Sequence, residues 1–69
     1  MTFGEWIKAA RKFHGLTLDE VAEKAGTSKS HVWEMENDRG NPTLATAHSI
    51  TGAFGTELWR VLKKMENEE

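Results

Sequence analysis

The chain has 69 residues, room for one small domain, and at 38% hydrophobic and 29% charged it is not composed like a disordered chain. It has no cysteine, which excludes disulfides, thiolate metal sites and cysteine nucleophiles. Eleven Asp and Glu face nine Lys and Arg for a net charge of −2, which counts mildly against nucleic-acid binding; but Glu66, Glu68 and Glu69 form an acidic tail (66–69) behind a domain (1–65) whose nine positive and eight negative side chains net +1.

A first helix is predicted from Phe3 to about His14. Thr2 and Glu5 have the T-x-x-E spacing of a capping box, in which each side chain satisfies the other residue's backbone N–H. Phe3, Trp6, Ile7 and Ala10 follow the 3.6-residue period of a buried stripe, and Gly15 is placed to end the helix in a left-handed cap. Thr17 and Glu20 repeat the capping box, opening a second helix from Leu18 to about Lys24 with Val21, Ala22 and Ala25 inward. Gly26 breaks it. Ser28 then caps a third helix, Lys29 to about Asn37, with Val32, Met35 and Glu36 on its inner side. A polar turn over 38–42 leads to Thr43, the cap of a fourth helix with Leu44, Ala47 and Ile50 at core spacing and a last turn weakened by Gly52. Thr56 caps a fifth, Glu57 to about Met65, on which Leu58, Val61, Leu62 and Met65 are apolar. No stretch alternates with period two for long enough to be a strand. The fold class is all-α, a compact bundle of five short helices. No apolar run approaches the ~20 residues of a membrane span, and the start has neither a basic nor a continuous apolar segment of a signal peptide, so the expected location is cytoplasmic.

Two helices joined by a turn of about three residues form a helix-turn-helix unit, here over about 17–37. The second of the two must be held rigid yet stand out enough to enter a major groove ~12 Å wide. Close crossing needs a small residue, which Ala22 supplies, and the sharp turn a residue tolerant of positive φ, which Gly26 supplies. Val21, Ala25, Val32 and Met35 supply the inner faces. The run LTLDEVAEKAGTSKSHVWEME, from Leu16 to Glu36, resembles the helix-turn-helix domains of the Cro and lambda-repressor type, and the likeness extends back to Arg11 and forward through Asn41-Pro42 to Phe54-Gly55. The resemblance implies a five-helix DNA-binding domain, usually dimeric, that represses or activates transcription. It implies a structural salt bridge between Arg11 and Glu36. It implies phosphate contacts from the start of the second helix, at Thr17 and Leu18, and from the segment after the third, at Asn37, Arg39 and Asn41. It places the turn and the first residues of the third helix, Thr27, Ser28, Lys29 and Ser30, at the DNA, and the exposed face of that helix adds Trp33 and Glu34 as candidates. Thr27 stands where that family commonly has a branched apolar residue, Asp38 where it often has glycine, and the basic residues of the loop are reduced to Arg39.

Positions 29, 30, 33 and 34 share one helix face, because residues three and four apart are neighbours. Lys29 is the cation on that face and suits guanine O6 and N7; Ser30 is too ambivalent to discriminate. Trp33 offers apolar surface to a thymine methyl; the alternative is a ring folded back over the second helix. Glu34 accepts from a cytosine amino group or is a solvated charge. Asn37 and Arg39 are expected to hold phosphates without choosing sequence. Trp59 is either core or the anchor of a dimer interface with Leu58 and Leu62. His14, His31 and His48 lie too far apart along the chain for a zinc site, and Ser49 has no companion pattern for nucleophilic catalysis. The expected function is therefore a small phage, prophage or bacterial repressor, a homodimer reading a two-fold operator in double-stranded DNA, with no enzymatic activity, cofactor, metal or small-molecule ligand. The alternative is a protein-interaction module, such as an antitoxin or a regulator docking on polymerase or another repressor through Trp33 and Trp59.

Overall fold

The two T-x-x-E motifs close as reciprocal hydrogen bonds and start the first two helices. The structure, a computed structural model, describes residues 1–40 and 42–67. In α1 (Phe3–Phe13) the Thr2 hydroxyl accepts from the Glu5 N–H at 3.1 Å, and the Thr2 N–H donates to Glu5 Oε1 at 2.8 Å. In α2 (Leu18–Ala25) Thr17 and Glu20 repeat the pair at 3.1 and 2.9 Å. The backbone N–H of Thr2 holds the Glu5 carboxyl below its ordinary value of 4.5, and that of Thr17 does the same for Glu20. A carboxyl depressed in the folded state contributes stability above its unfolded value and loses it as pH falls through the folded one. The melting temperature is therefore expected to fall as the pH drops below about 4.5, and less steeply in Glu5→Gln and Glu20→Gln. Thermal melts between neutral pH and about pH 3 test this, and unchanged slopes in both variants would refute it.

Ser28 caps α3 (Lys29–Glu36) by accepting from the His31 N–H at 3.1 Å. Thr43 caps α4 (Leu44–Ala53) in the same way through the Thr46 N–H. α5 spans Leu58–Asn67, one residue later at its start than expected and two later at its end. The Glu57 carbonyl, not a Thr56 cap, receives its first backbone bonds, from Arg60 and Val61. The acidic tail thus begins inside α5 at Glu66, while Glu68 and Glu69 lie outside the described residues. Among the described residues there is no strand.

α3 packs on α1 and α2, α2 also packs on α4, and α4 on α5. Ile7, Val21, Ala22, Val32, Met35 and Ile50 are the core, edged by Phe3, Trp6, Leu16, Leu18, Ala25 and Phe54. Trp6 stacks on Phe3 at 6.1 Å and meets Phe54 edge-on at 5.6 Å. Thr51 is buried, and its hydroxyl is satisfied by the Ala47 and His48 carbonyls at 3.0 and 3.1 Å. Two expectations need correction. Leu44, placed in the core by its spacing, is 69% exposed, because the first turn of α4 projects beyond the bundle. Leu58, expected at a dimer interface, is 5% exposed within its own chain, because the inner face of α5 turns it and Val61 against the bundle.

The start of α1 is pinned to the end of α3. Gly4 is buried there, and a Cβ on it would collide with the carbonyl oxygens of Met35 and Glu36. Asp38, just beyond α3, has a left-handed φ of 54° that ordinarily favours glycine. Its carboxylate accepts from the Thr2 hydroxyl at 2.8 Å and from the Gly4 N–H at 3.3 Å. Asp38 thus works as a second cap on a helix more than thirty residues upstream, at a backbone conformation that costs on the order of 1 kcal/mol. Among the described residues no helix is long and apolar enough to cross a membrane, and no group of three or more His, Asp or Glu is placed to hold a metal ion.

Candidate nucleic-acid interface

α2 and α3 are joined by a turn that only a residue free to take positive φ makes cheaply. Gly26 has φ 70°, and the next N–H, of Thr27, donates back to the Ala22 carbonyl at 2.9 Å. Thr27 is half-buried, and its hydroxyl pairs with His31 Nδ1 at 2.8 Å, so Thr27 and Ser28 both tie the turn to His31 in the first turn of α3. Val32 and Met35 hold the inner face of α3 on the core.

The angle of α3 is fixed from its far end by Arg11 and Glu36. Arg11 Nε donates to Glu36 Oε2 at 2.7 Å and Nη2 to Oε1 at 3.1 Å, a bidentate pair, while Nη1 donates to the Leu16 carbonyl at 3.2 Å. The Glu36 side chain is only 4% exposed. The Glu36 hydrogen bond raises the Arg11 guanidinium above its ordinary value. Three elements, α1, the α1–α2 turn and α3, are thereby joined by one side chain.

The outer face of α3 is left open. Lys29, Ser30, Trp33 and Glu34 line one shallow hollow together with Leu18 of α2 and Arg39 beyond α3. Trp33 is 44% exposed, shares the hollow with Leu18 of α2, and has the Arg39 guanidinium carbon 5.4 Å from its ring centroid. Lys29 Nζ lies 4.0 Å from Asp19 Oδ2, both side chains being exposed, so the pair is weak and yields readily to a stronger acceptor. Asp19 is a neighbour that periodicity along α3 did not reveal, since it faces Lys29 across the turn. His31 as the partner of Thr27 was also missed, although a spacing of four residues signals such contacts.

The remaining candidate residues stand apart from this hollow. The Thr17 hydroxyl and N–H are both committed to Glu20, so an anion arriving at the start of α2 meets a carboxylate already in place. The Ser28 hydroxyl is committed to capping α3. The Asn37 amide turns back, its Nδ2 donating to the Trp33 carbonyl at 2.8 Å. Asn41 lies outside the described residues. On α5, Trp59 is 55% exposed and Leu62 is also exposed. The Trp59 indole N–H donates to Glu57 Oε2 at 2.8 Å, and Arg60 lies 5.1 Å over its ring.

The sequence model of the helix-turn-helix family matches residues 7–58. The chain is 45% identical over 58 residues to the immunity repressor protein of Bacillus phage phi105, covering 84% of this chain and 40% of that protein. It is 39% identical over 51 residues to an uncharacterized HTH-type transcriptional regulator of Methanothermobacter thermautotrophicus, covering 74% of each. The crystal structure of SinR, the master regulator for biofilm formation, in complex with DNA superposes with a TM-score of 0.80 at 31% identity, covering 88% of this chain and 98% of that one. The chain spans well under half the length of the phage repressor it matches. A matched segment that runs from the core of α1 to the start of α5, and so contains the whole α2–turn–α3 unit, places this chain in the helix-turn-helix family of the Cro and lambda-repressor type.

Proposed function

We propose that this chain is the sequence-specific DNA-binding domain of a transcriptional regulator, a repressor acting as a homodimer on a two-fold operator. The observation that carries the reading is the outer face of α3: Lys29, Ser30, Trp33 and Glu34 exposed together on a helix whose other side is locked into the core. A structural relative of the same arrangement, SinR, is found in complex with DNA. Lys29 reads a guanine, exchanging the weak Asp19 contact for O6 and N7. Ser30 and Glu34 flank it, and the starts of α2 and α3, with Asn37, reach the phosphates once Glu20 releases the Thr17 N–H and the Asn37 amide releases the Trp33 carbonyl. Binding-site selection from random duplex DNA should enrich one palindromic sequence, and log K should fall with log salt at about −0.9 per phosphate neutralised. Failure to enrich any sequence refutes the reading, and affinity for a protein partner that ignores salt would favour the interaction-module alternative. Lys29→Ala should cost about 1–3 kcal/mol on the selected site and relax preference at one base pair per half-site. An unchanged consensus would remove Lys29 from the reading face.

Dimerisation places two such helices one DNA turn apart, ~34 Å. Trp59 and Leu62 form its apolar centre, Leu58 having turned inward. Trp59→Ala should shift sedimentation toward monomer and weaken palindrome binding while leaving the melting temperature within a few degrees. Unchanged sedimentation would place the interface elsewhere.

A further inference from the structure

A cation in the loop after α3 would ordinarily be assigned to a phosphate. A backbone reversal and two contacts bring Arg39 back onto α3 instead. Asp38, with φ 54°, reverses the chain just before it. The Arg39 N–H donates to the Glu34 carbonyl at 2.9 Å. The guanidinium lies 5.4 Å from the Trp33 ring centroid, and the carbonyl of Trp33 is itself held by Asn37. Arg39 consequently lines the same hollow as Lys29, Ser30 and Glu34. Among the described residues no carboxylate forms an ion pair with it, whereas Lys29 faces Asp19. A guanidinium drawn to an indole by its charge, with no described carboxylate taking its N–H groups, keeps those donors for the guanine O6 and N7 that its fork matches. The contact also restricts a long flexible side chain before DNA arrives, which lowers the ordering cost of binding.

We propose that Trp33 and Arg39 form a single reading unit, in which the indole positions the guanidinium over the base edges and Arg39 selects sequence. Trp33 is the positioning residue and Arg39 the specificity determinant. This rests on the DNA-binding reading above.

The test is binding-site selection, followed by titration of the selected duplex and of a scrambled one, with the full chain and with Arg39→Ala, Arg39→Lys, Trp33→Ala, Trp33→Phe and the double alanine variant. Arg39→Ala should erase preference at one base pair per half-site and weaken the selected duplex about tenfold or more, well beyond its effect on the scrambled one. Arg39→Lys keeps the charge and should still lose that preference. Trp33→Ala should relax the same base pair, Trp33→Phe should keep it, and the double variant should be no more than about twofold worse than Arg39→Ala alone, as for residues acting as one unit. The proposal is overturned if Arg39→Ala weakens both duplexes equally with the consensus intact, if Trp33→Ala leaves the consensus unchanged, or if the two losses multiply. Those outcomes leave the DNA-binding reading standing. A parent chain that enriches no sequence removes both.

Discussion

Arg11→Met is expected to lower the melting temperature by more than about 10 °C and to leave much of the chain unfolded near about 37 °C. Methionine roughly fills the space of the aliphatic stem but supplies no donor. The Glu36 carboxylate, 4% exposed, then has neither of its two guanidinium bonds, and the Leu16 carbonyl loses a third. Breaking a buried pair from one side costs about 3–5 kcal/mol, against the ~5–15 kcal/mol that holds a small domain together. Much of that cost is the stranded charge rather than the value of the pair, so Arg11→Met combined with Glu36→Leu should recover a large part of the loss. Circular-dichroism melts of the two single variants and the double decide the matter. A single variant melting within a degree or two of the parent would show that Glu36 finds another partner or water.

Gly4→Ala should be the next most damaging, at about 2–3 kcal/mol, near the upper end of overpacking costs. A methyl there overlaps backbone oxygens of Met35 and Glu36, which move only if α1 lifts off the end of α3. That movement also breaks the hydrogen bonds from Thr2 and Gly4 to Asp38. Gly52→Ala is the matched control. Gly52 lies inside α4 with open space around it and a helical backbone, so alanine there should stabilise by about 0.5–1 kcal/mol through helix propensity alone. The same chemical change is expected to have opposite signs at the two positions. Equal shifts in urea midpoint would show that α1 is not wedged against α3.

The contrast between those glycines marks what was legible in the sequence. Helix starts were readable because caps are local: Thr2 with Glu5, Thr17 with Glu20, and Ser28 and Thr43 each act on N–H groups within three residues. The inner faces of α2 and α3 were readable because Val21, Ala22, Val32 and Met35 keep helical spacing. The close approach of Gly4 was not, since its cause lies in carbonyls more than thirty residues away, and a glycine near a helix start carries no signal of burial. Asp38 read as a departure from a common glycine; its role as a distant cap depends on where α1 begins in space. Leu44 and Leu58 show the limit of periodicity in short helices. With ten residues in α4 and ten in α5, apolar spacing defines a stripe but not how far along its length the rest of the bundle reaches. On the outer face of α3, geometry identified the exposed positions, but not that Asp19 stands beside Lys29 or that Arg39 lies over Trp33.

The placement of the three tryptophans has a spectroscopic consequence. The chain has no tyrosine, so its ultraviolet emission under selective excitation comes from indoles alone. Trp6 is packed between Phe3 and Phe54 at the edge of the core, Trp33 lies on the outer face of α3 under a guanidinium, and Trp59 stands on α5 with its N–H on a carboxylate. Each occupies a different part of the molecule in a different polarity. Their quenching and spectral shifts are therefore separable, and chains retaining one indole at a time would report unfolding, events on the α3 face and events on α5 as three independent optical signals without any attached dye.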